Sequence, residues 1–154
     1  MISTQTTLPL GEDVGFLTHR AARLLRQRMN SAVAELGLTA PQAAVLLALP
    51  GSDDPTPSVL ADALGIDRPT MTGLIGRLER DGWVRLLPHP TDGRARIITP
   101  TEKTLHAIPD IAEASRAVSA GALEGLSEPE RELLLGLLAR VGDTLEDRTG
   151  RNEP

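Results

Sequence analysis

Helix-capping residues and chain breakers alternate through the middle of the sequence, and they leave room only for short elements. The Thr-Pro pair at positions 56 and 57 is suited to open a helix that ends at Gly65. Asp67 is suited to cap a second helix, which runs to about Arg80 before an Asp-Gly pair breaks it. The spacing therefore predicts two short helices that are joined by a tight turn.

Two apolar runs follow these helices, at residues 83–87 and 94–98, and a short stretch with two prolines separates them. Such a pair of runs predicts a β-hairpin with a stiff tip. Trp83 opens the first run and is expected to pack in the core. Two helices joined by a tight turn and followed at once by a hairpin form a winged helix–turn–helix.

The rest of the sequence predicts helices. Residues 12–36 carry apolar side chains at a period near 3.6, which indicates an amphipathic helix. Capping boxes predict three further helix starts, at Thr39–Gln42, Thr99–Glu102 and Ser127–Glu130. Pro109 is expected to kink or split the helix that begins at Thr99. The expected fold class is mainly α with a small β-hairpin wing (α+β), in which a winged lobe is flanked by N- and C-terminal helices.

Three kinds of region are expected along the chain. Residues 1–11 are polar and rich in threonine, and they predict a flexible N-terminal arm. Residues 38–103 hold the predicted winged helix–turn–helix lobe. Residues 12–36 and 104–150 form a predicted helical dimerisation region, because their apolar stripes exceed what one small lobe covers. The alternative is a monomer in which the terminal helices pack on each other.

The dimer prediction rests on apolar side chains of the first and last helices. The residues expected to make this contact are Leu17, Leu24, Leu134, Leu137, Leu138, Val141 and Leu145.

Composition excludes several classes of function. The absence of cysteine rules out disulfides, thiolate zinc sites, iron–sulfur clusters and thiol redox sensing. No apolar run approaches the ~20 residues of a membrane span. The first nineteen residues hold no Lys, no Arg and no long apolar block, so we expect no secretory signal there. We therefore expect a cytoplasmic protein with no membrane partner. With three histidines, no tyrosine and no nucleophile motif, we expect no enzyme activity, no catalytic residue, no cofactor and no bound metal.

Charge is distributed unevenly along the sequence. The formal net charge is −5, but residues 57–103 hold seven basic and six acidic residues, which gives +1 for that segment. Six of these seven basic residues are arginines, whose planar guanidinium suits bidentate contact with phosphate or guanine. The predicted lobe is thus compatible with a local DNA-binding face.

The second helix of the pair is the expected recognition helix, because such a helix reads base edges mainly with its N-terminal residues. At the hairpin, a guanidinium at the tip suits a narrow minor groove, where the potential is most negative. Asp92 is expected to fix an arginine within the wing, and His89 to contact the DNA backbone or solvent. The predicted DNA-binding residues are Arg68, Pro69, Thr70, Thr72, Arg77, Arg94 and Arg96. The alternative is an ordinary helix pair with a solvated loop, where exposed ion pairs contribute little.

The chain resembles the MarR family of bacterial winged-helix transcription regulators over nearly its whole length. The resemblance rests on Leu36-Gly-Leu-Thr39, Leu60-Ala-Asp-Ala-Leu-Gly65, Gly73-Leu-Ile-Gly-Arg-Leu-Glu-Arg-Asp-Gly82, Asp92-Gly-Arg94 and the Thr99 cap. It implies an obligate homodimer whose first and last helices interlock and whose two winged lobes straddle a pseudo-palindromic operator in double-stranded DNA. It also implies that Arg68, Thr70, Thr72 and Arg77 lie on the recognition helix and Arg94 at the wing tip.

Three positions depart from the family pattern. Gly73 and Gly76 lie within the expected recognition helix, where the family usually has longer side chains. Each glycine lowers helix propensity by up to ~1 kcal/mol relative to alanine. Thr104 occupies a position where glycine is common in the family.

A small-molecule effector is a further expectation. Phe16, His19, Arg20 and Arg23 share one side of the first helix, off its apolar stripe. An aromatic ring, an imidazole and two guanidiniums are suited to hold an aromatic carboxylate or phenolate. Members of the MarR family are often released from DNA by such ligands, which favours a ligand-responsive repressor. The alternative is a solvated basic surface. Arg28 falls on the apolar stripe itself and is expected to form an ion pair with an acidic residue, either across the dimer or between lobes.

Two other functional classes remain open from sequence alone. One is an architectural or effector-independent DNA-binding protein, which the weak positive charge disfavours. The other is a winged helix used as a protein-interaction module, which arginines in both the recognition helix and the wing disfavour.

Overall fold

The computed structural model describes residues 10–150, and helices make up most of them. The α-helices and strands in chain order are α1 (Val14–Ala32), α2 (Ala40–Ala48), α3 (Pro57–Leu64), α4 (Arg68–Arg80), β1 (Val84–Pro88), β2 (Arg96–Pro100), α5 (Glu102–Ala122) and α6 (Glu128–Gly150). The fold predicted from sequence, mainly helical with a β-hairpin wing, is confirmed. Residues 1–9 of the predicted arm lie outside the described part of the chain.

The chain divides into two compact units, one up to Val118 and one from Ser119 onward. The first contains the helix–turn–helix, the hairpin and most of α5, and the second contains α6. In the hairpin the strands are antiparallel, with Val84 opposite Pro100 and Pro88 opposite Arg96.

Two predicted helix starts in the first unit are confirmed by their capping hydrogen bonds. The backbone N–H of Thr39 donates to Oε1 of Gln42 at 2.9 Å, which completes the capping box of α2. Oγ1 of Thr56 accepts a hydrogen bond from the backbone N–H of Val59 at 3.3 Å. Gly65 ends α3 with φ 60°, a left-handed conformation that suits glycine and makes the predicted tight turn.

The predicted start of α5 at Thr99 is wrong. Thr99 lies in β2 opposite Arg85, because the hairpin ladder extends to Pro100. The hydroxyl of Thr101 accepts the hydrogen bond from the backbone N–H of Thr104 at 3.4 Å instead. The cap has therefore moved two residues along the chain.

Pro109 does not split α5, which continues through it from Glu102 to Ala122. A proline removes the hydrogen bond to the carbonyl four residues earlier, here that of Leu105. Leu105 and Pro109 are both exposed, so this carbonyl lies on the solvent side of the helix.

The core of the first unit gathers apolar side chains from α2, α3, α4, α5 and both strands. Its buried residues are Val33, Leu38, Ala43, Val45, Leu46, Leu49, Leu60, Ala61, Met71, Leu74, Ile75, Leu78, Trp83, Val84, Ile98 and Ile111. Trp83 packs here as expected, with 3% of its surface exposed. The buried hydroxyl of Thr104 donates to the Trp83 carbonyl, so threonine in place of the family's glycine joins α5 to the start of the wing.

Helix α1 contrasts with this core because none of its residues is buried. Leu17, Leu24 and Leu25 each keep about two fifths of their surface exposed. The apolar stripe predicted for this helix is thus present and only partly covered by the described part of the chain.

In the second unit, α6 begins at the predicted capping box. The backbone N–H and the hydroxyl of Ser127 donate to Oε2 of Glu130 at 2.8 Å and 2.7 Å. The hydroxyl and then the amide of Ser127 lower the pKa of Glu130 from its ordinary value. Helix α6 leaves much of its apolar surface exposed. Leu137, Leu138, Val141 and Leu145 are exposed, and Leu134 is half-buried.

Candidate nucleic-acid interface

Helix α4 is amphipathic in a way that separates an anchoring face from an outward face. Met71, Leu74, Ile75 and Leu78 are buried in the core. These residues lie three or four positions apart, so they form one side of the helix. All five sequence-predicted residues of this helix are exposed, two of them, Thr72 and Arg77, between the buried positions and three at the N-terminal end: Arg68, Pro69 and Thr70.

Asp67 fixes the start of this helix. Its Oδ1 accepts a hydrogen bond from the backbone N–H of Thr70 at 2.8 Å, as expected of an N-cap. Hydrogen bonds from the Thr70 hydroxyl and then from its amide lower the pKa of the Asp67 carboxyl from its ordinary value. The carboxylate therefore stays ionised and satisfies a helix N–H group that would otherwise lack a partner.

Replacing Asp67 by alanine is expected to lower the melting temperature at pH 7. Since the folded-state pKa is depressed, the stabilisation is complete above the unfolded-state pKa and is lost as pH falls through the folded-state value. The difference between wild type and Asp67→Ala should therefore be constant from pH 7 to 5 and shrink below about pH 4. Thermal melts followed by fluorescence of Trp83, the only tryptophan, measure it. Asp67→Asn is the control, because asparagine also caps. A difference that stays constant down to pH 3 would contradict the assignment.

Two polar contacts orient the first turn of α4. A nitrogen of the Arg68 guanidinium lies 3.9 Å from Oδ2 of Asp62 in α3, and both side chains are 71% exposed. An exposed pair at this distance is weak, so Arg68 stays available for another anion. The hydroxyl of Thr72 donates to the Arg68 carbonyl at 2.9 Å and keeps its acceptor lone pairs.

Gly73 and Gly76 leave the middle of the outward face without side chains. A Cβ at Gly73 would meet the Arg77 guanidinium at 3.7 Å, an ordinary contact, and a Cβ at Gly76 would meet nothing within 4 Å. Neither glycine is required by packing within the described chain. Their effect is to expose the helix backbone where other side chains would otherwise stand.

The wing tip carries Arg94, which is exposed and directly follows Gly93. Oδ1 of Asp92 accepts a hydrogen bond from the backbone N–H of Arg94 at 2.9 Å. The Asp92 carbonyl accepts another from the amide of Ala95 at 3.0 Å. Asp92 thus holds the backbone that carries the tip arginine. Arg96 is exposed at the start of β2, opposite Pro88.

Of the two alternatives expected for His89, exposure to solvent is wrong, and contact with the DNA backbone stays a prediction. Only 14% of its side chain is exposed, and Nε2 lies 3.1 Å from Oδ1 of Asp54. The partner is 35 positions away in sequence, so no local pattern could indicate it. The pairing of His89 with Asp54 is the feature near the wing that sequence reasoning missed.

The four residues predicted to bind a ligand, Phe16, His19, Arg20 and Arg23, are all exposed along α1. A groove of about 680 Å³ lies further along the same helix. Its lining residues are Leu24, Gln27, Arg28, Ser31, Ala32, Ala114, Ala117 and Val118, of which only Arg28 is charged. None of the four predicted ligand residues lines this groove.

Within residues 10–150, no group of three or more His, Asp or Glu side chains is arranged to hold a metal ion. Among the helices of that same range, none combines the length and apolar character that crossing a membrane requires.

The anchored recognition helix, its exposed first turn and the adjoining arginine-tipped hairpin define a winged helix–turn–helix of the DNA-binding kind. Sequence and structure comparisons agree. The MarR family model matches residues 36–95. The chain is 36% identical over 102 residues to the transcriptional activatory protein BadR of Rhodopseudomonas palustris, covering 64% of this chain and 58% of BadR. It is 30% identical over 125 residues to an uncharacterised HTH-type transcriptional regulator of Mycobacterium bovis, covering 81% of this chain and 85% of that protein.

Among solved structures, the transcriptional regulator PcaV of Streptomyces coelicolor, in complex with its natural ligand, matches with a TM-score of 0.81 and 26% identity. The match covers 89% of this chain and 96% of PcaV. The chain therefore belongs to the MarR family of DNA-binding transcriptional regulators.

Proposed function

We propose that two copies of this chain bind a pseudo-palindromic operator as a homodimer and regulate transcription from it. Each copy places the first turn of α4 in the major groove and the hairpin tip in the adjoining minor groove. The proposal rests on the difference between the buried and the exposed residues of α4. Its buried face, which includes Met71 and Leu74, holds the helix rigidly, while Arg68 and Thr72 project outward. A helix that reads base edges needs both properties.

Base reading and phosphate contact fall to different residues in this proposal. Arg68, Thr70 and Thr72 lie within the first five residues of α4, and guanidinium and hydroxyl groups form hydrogen bonds with base edges. Pro69 offers an apolar surface of the kind that meets a thymine methyl group. Arg77, Arg94 and Arg96 supply positive charge to the backbone and the minor groove.

The homodimer is supported by the apolar surfaces of α1 and α6, each taken separately. A single exposed leucine is ordinary, but a row of them marks an interface. Leu17 and Leu24 of α1 are 43% and 40% exposed, and Leu137 and Leu138 of α6 are 45% and 47% exposed. Pairing of two copies would remove this surface from water.

We further propose that the regulator represses. A dimer on its operator blocks access to the promoter duplex without any additional contact, whereas activation needs a surface that engages the transcription machinery. BadR is named an activatory protein, so transcription in vitro from a promoter that carries the operator is the direct comparison. Rising transcript with added protein would reverse the assignment.

Binding selection from random duplexes, titrated against salt, tests the proposed function. We expect a recovered palindrome whose half-sites are about one helical turn apart, as a symmetric dimer requires. Variants at Thr70 and Thr72 should change the selected bases, and variants at Arg77 should leave them unchanged. Steep salt dependence without a common sequence would indicate an architectural binder, and no binding would indicate a protein-interaction module.

An effector for this regulator is proposed to be a small aromatic carboxylate or phenolate that binds along α1. The solved structure of PcaV holds a natural ligand, which supports ligand response in a protein of this fold. The sequence offers Arg23 with Phe16 for such an anion, and the groove offers Arg28 beside Leu24. A guanidinium over an apolar wall suits a carboxylate attached to a ring.

Release of a labelled operator duplex by a panel of benzoate and cinnamate derivatives tests the effector. Arg23→Ala should keep operator affinity and lose the response, whereas Arg28→Ala should keep both. The opposite pattern would transfer the site to the groove. Release that neither substitution alters, or no release of the wild-type protein by any compound, would remove the proposal.

A further inference from the structure

A half-buried imidazole joins the wing loop to the segment that precedes α3. Nε2 of His89 lies 3.1 Å and 3.2 Å from the two carboxylate oxygens of Asp54. On the other side of the ring, Nδ1 accepts hydrogen bonds from the backbone amides of Thr91 at 3.2 Å and Asp92 at 3.0 Å. One side chain thus engages two chain segments that are far apart in sequence.

These contacts determine which ring nitrogen carries the hydrogen. Backbone amides only donate, so Nδ1 must present its lone pair to Thr91 and Asp92. The hydrogen is therefore on Nε2, where it points to a carboxylate that only accepts. The neutral Nε2–H form of His89 satisfies all these groups at once.

Asp54 belongs to a segment that is itself firmly placed. Its carbonyl accepts a hydrogen bond from the backbone N–H of Thr56, the N-cap of α3, at 2.8 Å. The carbonyl of Pro55 accepts another from the amide of Ile98 in β2 at 2.9 Å. The segment is thus tied to α3 and to the second wing strand, and His89 adds a tie to the loop that leads to the tip.

We propose that His89 is a positioning residue that fixes the pose of the Arg94 tip relative to the helix–turn–helix, with Asp54 as its anchor. The inference rests on the proposed function, because its consequence is measured as DNA binding. The chain of contacts is continuous: Asp54 holds the ring, the ring holds the amide of Asp92, and Asp92 holds the amide of Arg94 at 2.9 Å. A tip held in this pose loses less conformational freedom when it meets DNA.

His89→Ala is expected to weaken binding of the selected duplex about tenfold at pH 8, without changing the preferred bases. The protein contacts most affected should be those to the minor groove, as seen by hydroxyl-radical footprinting. Thermal melts followed by Trp83 fluorescence show whether the variant is folded under these conditions.

Two conservative variants separate the link to Asp54 from the local turn. In His89→Gln the amide nitrogen takes the place of Nε2 and can still donate to Asp54. In His89→Asn the amide oxygen takes the place of Nδ1 and can still accept from Thr91 and Asp92. We expect glutamine to restore most of the affinity and asparagine to restore little. The reverse ranking would show that only the turn matters and would overturn the inference.

Substitution of the anchor gives an independent test. Asp54→Ala should reproduce the loss seen in His89→Ala, and the double variant should bind no more weakly than either single variant. Asp54→Asn should bind nearly as well as wild type, because its amide oxygen still accepts from Nε2. Losses that add fully in the double variant would show that the two residues act separately.

Nitrogen-15 spectra of the imidazole rings test the hydrogen bonds of His89 in the free protein. We expect the Nε2–H tautomer for His89 in wild type, because the amides of Thr91 and Asp92 donate to Nδ1. In Asp54→Ala we expect the same tautomer with a shifted Nε2–H resonance, because that group loses its carboxylate acceptor. A tautomer mixture in wild type would overturn the inference even if DNA binds as proposed. If Arg94→Ala weakens binding and His89→Ala does not, this inference alone fails. If wild type binds no duplex, the proposed function fails, and the ring spectra still decide whether His89 makes these hydrogen bonds.

Discussion

Arg94→Ala is expected to weaken operator binding about 10–100-fold, by a similar factor for all operator sequences. The proposed dimer has two wing tips, and the loss of one cationic contact per tip is worth about 1 kcal/mol or more. Because both protomers lose a positive charge, the slope of log affinity against log salt should become shallower by about two. The selected bases should not change, since the tip is assigned to the minor groove rather than to base edges in the major groove.

Titration of a labelled operator at several salt concentrations measures both quantities. Arg116→Ala is the matched control, because Arg116 is an exposed arginine of α5 that pairs with Glu113 at 2.7 Å, away from the wing. Equal losses of operator affinity in Arg94→Ala and Arg116→Ala would show that the change in net charge alone causes the effect. An unchanged salt slope in Arg94→Ala would show that the wing tip does not reach the DNA.

Introducing charge into the apolar stripe of α6 should weaken operator binding more than Arg94→Ala does. The double variant Leu137→Glu with Val141→Glu places two carboxylates per chain in the surface assigned to the dimer, and burying them unpaired is costly. We expect a monomer at micromolar concentration. Its affinity for the full palindrome should fall by at least about 100-fold, because a monomer engages one half-site and loses the gain from linked binding.

Sedimentation velocity and operator titration on the same samples measure the two consequences. Leu135→Glu is the control, since Leu135 is an exposed leucine of α6 that lies off the stripe. It should leave a dimer that binds normally. A double variant that remains dimeric, or a wild-type protein that is already monomeric, would remove the homodimer from the proposal.

Local sequence patterns, mainly helix caps, were sufficient to predict most of the fold. Capping depends on residues three positions apart, so Thr39 with Gln42, Thr56, and Ser127 with Glu130 could each be placed from sequence. The capping pattern gave a wrong helix start at Thr99, because the same residues could belong to a strand or to a helix cap. Pairing across the hairpin decided between the two, and such pairing is not encoded in a short window.

The candidate interface likewise contains residues that the sequence could predict and a contact that it could not. The apolar residues of α4 recur at helical spacing, so the exposure of Thr72 and Arg77 could be predicted from sequence. The partner of His89 lies 35 residues away and depends on how the wing folds back on the helix–turn–helix. A contact of that kind becomes visible only in three dimensions.

Hydroxyl-radical footprinting of the selected palindrome, with wild type and Arg94→Ala side by side, is the most direct measurement of how this protein meets DNA. Wild type should protect two symmetric minor-groove patches that flank the half-sites, and Arg94→Ala should lose those patches while major-groove contacts at the half-sites, probed by guanine methylation, persist. Identical minor-groove protection by both proteins, or a footprint without two-fold symmetry, would contradict the account.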